Sequence, residues 1–290
     1  MSLLNILNIQ QFNNGQKTND FYSNTFEKHI KTHHKNISHP HKHDFYVVII
    51  FTRGSGIHEI DFHSYDIKPG TVFLLKPGQI HNWELSRDVK GFIFFHSKSF
   101  IDLNYTNNSV DNFPFFYSSQ NPPNVCLKST QLPAFLNYFK EINQEQKQDY
   151  IFKYQRIISL INLLYIELTR VYLTGSIPSV QPHIDSERIK TLELLIEKHY
   201  KKTKFASDYA EMMHLSPKHL NRIIKKALNK TTSDLVMERV ILEAKRMLIY
   251  AKGSLTEIAH ELGYEDYAYF SRVFKEKTSI SPSQFAKNYQ

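Results

Sequence analysis

The chain reads as a multidomain α+β protein: a small β-barrel carrying two helices, then an all-α domain of seven helices that holds two helix–turn–helix motifs. Three features carry this. Short β-branched and aromatic runs, separated by glycine and proline, fill roughly residues 37–100. A stretch broken by Gly175, Pro178 and Pro182 follows a long apolar helix and forbids its easy continuation. Beyond it, apolar residues recur at helical spacing to the end of the chain. The expected boundaries are 1–174 for the barrel part, 175–185 for the linker and 186–290 for the helical part.

Composition narrows the classes. With 290 residues, 41% hydrophobic and 22% charged, the chain has an ordinary globular make-up and room for two domains. No uninterrupted apolar run approaches the ~18 residues of a membrane span, and the first residues lack the basic segment of a signal peptide. The sole cysteine, Cys126, leaves neither an intrachain disulfide nor a cysteine-built zinc site, which fits a reducing cytoplasm. Net charge is +8, unevenly placed. Residues 186–290 hold 19 Lys/Arg against 13 Asp/Glu, a net of +6, and the first 185 residues hold the remaining +2. A polyanion such as DNA is the natural partner for the second half.

The elements follow in order. Phe45–Thr52 is a continuous β-branched and aromatic run, Ile57–His63 alternates, and Thr71–Leu75 and Gly91–Phe95 are further short strands. Arg53-Gly-Ser-Gly56, Lys68-Pro-Gly70 and Lys76-Pro-Gly78 punctuate them. Such strands at this spacing build a small barrel or sandwich. Residues 102–124 read as loop. Helices are expected over Ser129–Gln146 and Asp149–Leu173. The second is apolar over more than one core-facing stripe, so it is buried on two sides or meets another subunit, as in a homodimer formed through 149–173. Then come Ser186–Lys201, Ala206–His214, Pro217–Leu228, Ser233–Tyr250, Leu255–Leu262, Asp266–Glu276 and Pro282–Asn288.

Two of these helix pairs are built alike. In the first, Ala206, Ala210, Met213, Leu215, Leu220, Ile223, Ile224 and Ala227 form an apolar seam; Ser216 caps the second helix, Pro217 opens it and Asn229 ends it in the left-handed conformation. In the second, Leu255, Ile258, Ala259, Leu262, Phe270, Val273 and Phe274 form the seam, Gly263 supplies the turn and Asp266 the cap. The outward faces are polar. Arg pairs bidentately with guanine and Asn with adenine, and Tyr or Ala can touch a thymine methyl. Lys225, Lys226 and Lys275 lie further along their helices, suited to phosphates, as are the cap hydroxyls of Ser216 and Ser254. The plain alternative for either helix alone is a solvated surface; the tandem and the charge excess weigh against it.

From about Thr191 to Gln290 the chain resembles the DNA-binding domain of the AraC/XylS family of bacterial transcription regulators. Leu215-Ser-Pro-Lys-His-Leu-Asn-Arg-Ile-Ile-Lys-Lys226, Ile258-Ala-His-Glu-Leu-Gly-Tyr264, Tyr269-Phe-Ser-Arg-Val-Phe-Lys275 and Ile280-Ser-Pro-Ser-Gln-Phe285 carry the match. The resemblance implies seven helices, with 233–250 as the connector. It assigns base reading to Lys218, Asn221, Arg222, Tyr267, Ala268, Ser271 and Arg272. The chain departs from it at Asn229 and Thr278, where the family usually has glycine.

The first half resembles a cupin: His39-Pro-His41-Lys-His43 precedes a strand, and Pro69-Gly70 and Pro77-Gly78-Gln-Ile-His81 follow. Similar barrels in AraC/XylS proteins bind a small effector. Candidate pocket residues are His41, His43, Phe45, Val47, His81, Trp83 and Phe94; a slip of one residue in strand parity would turn any of them outward. Three or four converging histidines are also a set that binds Zn, Fe or Mn. Metal cupins, however, carry a Glu about four residues after the second His, where this chain has Val47. The expectation is therefore no metal, no cofactor and no catalysis: a cytoplasmic regulator with double-stranded DNA, a small effector and a second copy as partners, RNA polymerase as a further one, and no membrane. Two alternatives stay open: a metal-dependent cupin enzyme with a DNA-binding tail, and an effector-independent regulator whose barrel only dimerises.

Overall fold

The computed structural model describes residues 5–12, 20–37, 39–102, 109–117, 121–176, 184–250 and 253–288. They fall into two compact units, one within residues 5–178 and the other within 179–290. Most of the expected linker, residues 177–183, lies outside the described residues.

The first unit holds two five-stranded sheets. One has the order β1 (Asn5–Leu7), β3 (His41–His43), β8 (Ile80–Leu85), β5 (Gly56–Ile60), β6 (His63–Ile67). The other runs β10 (Asn124–Cys126), β7 (Thr71–Leu75), β4 (Tyr46–Arg53), β9 (Lys90–His96), β2 (Phe21–Thr25). All pairings are antiparallel except β1 with β3. The sheets face each other as an open barrel that does not close. Val47, Ile49, Phe51, Phe73, Leu75, Ile93 and Phe95 of the second sheet fill the interior with Ile60 and Ile67 of the first. The alternate residues of the second sheet, Tyr46, Val48, Ile50, Val72, Leu74 and Phe94, form a separate core on its outer face.

That outer core explains the unbroken apolar run of β4, which is buried on both faces. It is covered by α4 (Leu132–Gln146) and α5 (Lys153–Ser176), whose Phe135, Phe139, Ile142, Ile157, Ile158, Ile161, Leu164, Tyr165 and Leu168 are buried there. By length and composition Lys153–Thr174 would also suit a membrane span. The apolar breadth of α5 has two sources: this buried face, and an exposed set that includes Leu163 and Leu173, preceded by Tyr150, Ile151 and Phe152 just before the helix. Two further helices, α2 (Lys98–Asp102) and α3 (Pro114–Tyr117), and a 3-10 turn at Val110–Asn112 lie in or beside the stretch expected to be loop. Phe115 and Phe116 supply the reason, joining the outer core.

Helix α1 (Phe26–Ile37) escaped sequence reading because histidines occupy part of its inner stripe: Phe26, His29, His33 and Ile37 are its buried residues. The alternating run 57–63 is two strands, not one. Asp61 and Phe62, both at positive φ (49° and 71°), make a two-residue turn between Ile60 and its partner His63. Asp61 adopts this conformation while its carboxylate accepts from the Ile80 amide (3.1 Å) and the Gln79 carboxamide (3.2 Å).

The second unit is seven helices among the described residues: α6 (Ile184–His199), α7 (Ala206–Met212), α8 (Pro217–Leu228), α9 (Thr232–Tyr250), α10 (Leu255–Glu261), α11 (Tyr267–Thr278) and α12 (Pro282–Asn288). Helix α9 is the axis, packing against α6, α7, α8, α10 and α12. Its buried Arg239 donates to both carboxylate oxygens of Glu197 on α6 (2.8 and 2.9 Å) and to Glu243 (3.0 Å), and stacks on the Tyr200 ring. These partners overcome the desolvation of the guanidinium and hold it charged.

Candidate DNA-reading helices and barrel interior

The two helix–turn–helix turns are the same hydrogen-bonded structure 49 positions apart. Leu215 N–H donates to Ala210 C=O and Tyr264 N–H to Ala259 C=O, each at 2.9 Å. His214 N–H donates to Glu211 and Gly263 N–H to His260, again 2.9 Å each. This is a Schellman closure, which needs a left-handed residue at its corner. His214 (φ 54°) and Gly263 (φ 79°) occupy that corner. Only the second requires glycine on steric grounds, because a Cβ there would sit 1.9 Å from the Lys201 carbonyl oxygen. Ala210 and Ala259 are fully buried at the helix crossings.

Each second helix is capped. Ser216 Oγ accepts from the His219 amide (3.2 Å) at α8, and Asp266 accepts from the Ala268 and Tyr269 amides (3.0 and 2.9 Å) at α11. These amides hold the Asp266 carboxyl below its usual range. Ser254 forms a reciprocal capping box with Glu257 at α10. A serine oxygen that accepts from an amide still has its own proton to donate, as at Ser216, whereas the Ser254 hydroxyl also bonds the Glu257 carboxylate. Asn229 ends α8 at φ 53°. At the end of α11 the left-handed residue is Ser279 (φ 69°), one place beyond Thr278, which is the last residue of α11 and bonds back to Phe274 C=O.

In the barrel, strand register decides which side chains meet. His41 pairs with His81, Ile60 with His81 and His58 with Trp83. Because side chains alternate along a strand, His41, His43, His58, Ile60, His81 and Trp83 share one face of the first sheet. The facing sheet supplies Phe45, Val47, Phe73 and Phe95. The four histidines are buried, and their rings pack among Phe45, Phe73, Trp83 and Phe95 at centroid distances of 4.5–6.2 Å. Burial disfavours their charged forms, so His41 falls to about 4, His58 to about 3, and His43 and His81 well below the ordinary value, with mutual charge repulsion adding to it. At neutral pH these four imidazoles are neutral, set among apolar rings.

Residues 25–98 match the family described as AraC-like ligand binding domain, and residues 209–288 match the one described as Helix-turn-helix domain. Together these matches span more than half of the chain, one on each unit. The chain belongs to the AraC/XylS family of transcription regulators. The regulator is 26% identical over 256 residues to the uncharacterized HTH-type transcriptional regulator YfiF of Bacillus subtilis, covering 86% of this chain and 79% of that protein. It is 24% identical over 248 residues to the arabinose operon regulatory protein of Escherichia coli, covering 83% and 80%. Among solved structures, ToxT of Vibrio cholerae aligns over 92% of this chain and 97% of its own, at 14% identity and a TM-score of 0.46.

The structure sorts the residues named from sequence. Lys218, Arg222, Ala268 and Arg272 are exposed on α8 and α11, with Tyr267 and Ser271 partly so; Lys225, Lys226 and Lys275 are exposed further along. Asn221 is a correction in part: its half-buried carboxamide oxygen accepts from the Thr232 amide at 2.8 Å, so one of its two lone pairs serves the start of α9. Ala227 is a second correction, since it is exposed rather than part of the seam. Phe94 is a third: it lies on the outer face against Phe139, one residue out of parity with Phe95, which does face inward. Sequence reading missed His58, whose even spacing from Ile60 was the available signal. His219, an outward position of α8, accepts at Nδ1 from Arg222 (3.0 Å), and Tyr269, not among the expected readers, is exposed beside Arg272.

Proposed function

We propose that the regulator reads an asymmetric DNA site with α8 and α11, and that a small ligand in the barrel governs which sites it occupies. The observation that carries this is the pair of identically built turns presenting chemically different faces. One offers Lys218, His219 and Arg222, the other Tyr267, Ala268, Ser271 and Arg272. Helix α9, at about 1.5 Å per residue, sets the two readers apart by a length close to one DNA turn. Lys225, Lys226, Lys275 and the hydroxyl of Ser216 anchor phosphates on either side.

The ligand pocket of this reading is the inner face around His41, His43, Phe45, Val47, His81 and Trp83, with His58 added and Phe94 replaced by Phe95. A second copy docks on the exposed apolar residues of α5 and the turn before it. Ile151 and Phe152 are 85% and 68% exposed, and Leu163 is 48% exposed on the helix itself. Large apolar side chains held in water on one helix and the turn before it are costly unless a partner covers them. Ligand binding would alter that pairing and thereby favour one operator geometry over another. The protein acts where chromosomal DNA lies, in the cytoplasm, with RNA polymerase as a neighbour at the promoter; its barrel is a sensor, not an enzyme.

Mobility shifts on the DNA upstream of the protein's own gene, with and without extracts of small metabolites, test this. A shifted complex whose affinity or geometry changes with extract supports a ligand-governed reader. A complex indifferent to every extract points to a barrel that only dimerises. Sedimentation of the Leu163→Arg variant should show a loss of dimer; an unchanged dimer would remove α5 from the account.

A further inference from the structure

The barrel interior brings three imidazoles together in the placement of metal ligands, with hydrogen-bond contacts from His81 to His43 and to His58. His41 and His43 alternate on β3, and His41 lies in register with His81 on β8. One nitrogen from each of the three lies within 4.8 Å of the others, all three rings being buried. The closest pair, His43 Nε2 and His81 Nε2, is 3.3 Å apart. Two nitrogens bound to one tetrahedral ion at about 2.0–2.1 Å would stand about 3.3 Å apart.

Tautomers sharpen this. His41 Nδ1 lies 2.8 Å from the His39 carbonyl oxygen, which can only accept, so the ring proton sits on Nδ1. Its Nε2 is then a bare lone pair, and that atom is fully buried without a hydrogen-bond partner. An acceptor taken out of water and left unpaired is costly unless something electron-poor occupies the space before it. His81 Nδ1 is 2.8 Å from His58 Nε2. When His81 donates this proton to His58, its Nε2 is freed to face the same point as His41 Nε2 and His43 Nε2. His58 then acts as the outer partner that orients a liganding ring.

We propose that His41, His43 and His81 bind one late first-row divalent metal ion, of the Zn²⁺, Co²⁺ or Ni²⁺ class, with His58 as a positioning residue behind His81. Neutral nitrogen donors select these ions over Mg²⁺ and Ca²⁺, which require oxygen. Val47, where metal cupins have a glutamate, changes the donor set and does not abolish it. Three histidines leave a fourth position open and the ion's charge uncompensated, so an anionic small molecule or water completes the shell. The site goes beyond the ligand-governed reading and stands without it, because an ion can bind whether or not it alters DNA affinity.

The test uses the full-length chain stripped with a chelator. Calorimetric titration with Zn²⁺ should give one ion per chain, and titration with Co²⁺ should give the visible absorption of a tetrahedral nitrogen-ligated ion. His41→Gln, His43→Gln and His81→Gln should each abolish the stoichiometric site. His58→Gln should weaken it by about 10–100-fold, and His63→Gln, outside the cluster, should leave it intact. X-ray absorption of the Zn²⁺-loaded wild-type chain should show three imidazoles at about 2.0 Å, a readout independent of whether any variant folds. Absence of a stoichiometric ion, retention of it in the three ligand variants, or a coordination shell without three imidazoles would each overturn the proposal.

Discussion

Asn221 separates two roles that the same residue could play, and the structure shows one of them. Thr232 opens α9, is fully buried, and sends its amide to Asn221 Oδ1. The first amides of a helix have no intrahelical acceptor. Asn221→Ala therefore strands a buried N–H, a loss of about 1–3 kcal/mol, offset by about 0.5 kcal/mol because alanine suits the interior of α8 better. The net is about 0.5–2.5 kcal/mol, which in a unit of this size lowers the melting temperature by about 4–8 °C per kcal/mol. Asn221→Asp keeps an acceptor oxygen and places a negative charge at the start of α9, so stability should be retained. The sole tryptophan, Trp83, reports on the barrel, so helix circular dichroism is the signal to follow. In DNA binding, Asn221→Ala should change affinity evenly across operator sequences, and Asn221→Asp should weaken it evenly through phosphate repulsion. The reasoning is refuted if Asn221→Ala melts like the parent and loses preference for adenine at one position.

Other expectations follow from the same geometry. Tyr165→Phe removes the hydroxyl that meets buried His96 Nε2 at 2.6 Å between α5 and β9, and should cost about 1–3 kcal/mol by urea unfolding followed at Trp83. His96 is held neutral, its pKa lowered by burial to about 4. The unfolded chain takes up that proton below about pH 6.5 while the folded chain does not, so this stability is complete above pH 6.5 and is lost as pH falls toward 4. Up to about 3 kcal/mol is involved, and His96→Asn should remove that share of the pH dependence of the urea midpoint, the buried barrel histidines supplying the remainder; an unchanged slope would mean His96 ionises freely. Gly263→Ala forces a left-handed alanine, about 1–2 kcal/mol, and drives a Cβ against the Lys201 carbonyl. Footprints should then lose the half of the site read by α11 and keep the half read by α8.

Where local chemistry dictates the backbone, the sequence was legible. Ser216-Pro217 and Asn229 bound α8 at both ends, and Pro282 starts α12, as expected from capping and proline rules. Where tertiary context dictates, it was not. The inner stripe of α1 is half histidine, so its apolar period is invisible until Tyr22, Phe12 and Phe95 are seen around His29. Asp61-Phe62 makes a tight turn without glycine or proline, held by bonds from Gln79 and Ile80, eighteen and nineteen residues away. Phe94 and Phe95 are adjacent, equally apolar and both buried, so their faces are set only by register with Val48 and Val47. Asn221 looked like a reader because polar outward residues on a second helix look alike; its partner Thr232, eleven residues on, is a property of the fold. The barrel histidines were visible as a motif, but the unpaired Nε2 of His41 and the fourth member, His58, were not.

The central claim is that α8 and α11 read different bases. Binding of the regulator and of its Arg222→Ala and Arg272→Ala variants to a randomised operator pool measures this most directly. Each variant should lose about 1–3 kcal/mol of discrimination at its own position, in opposite halves of the site, and retain preference elsewhere. Equal weakening on every sequence by both variants would contradict the account, leaving two cations that touch only phosphate.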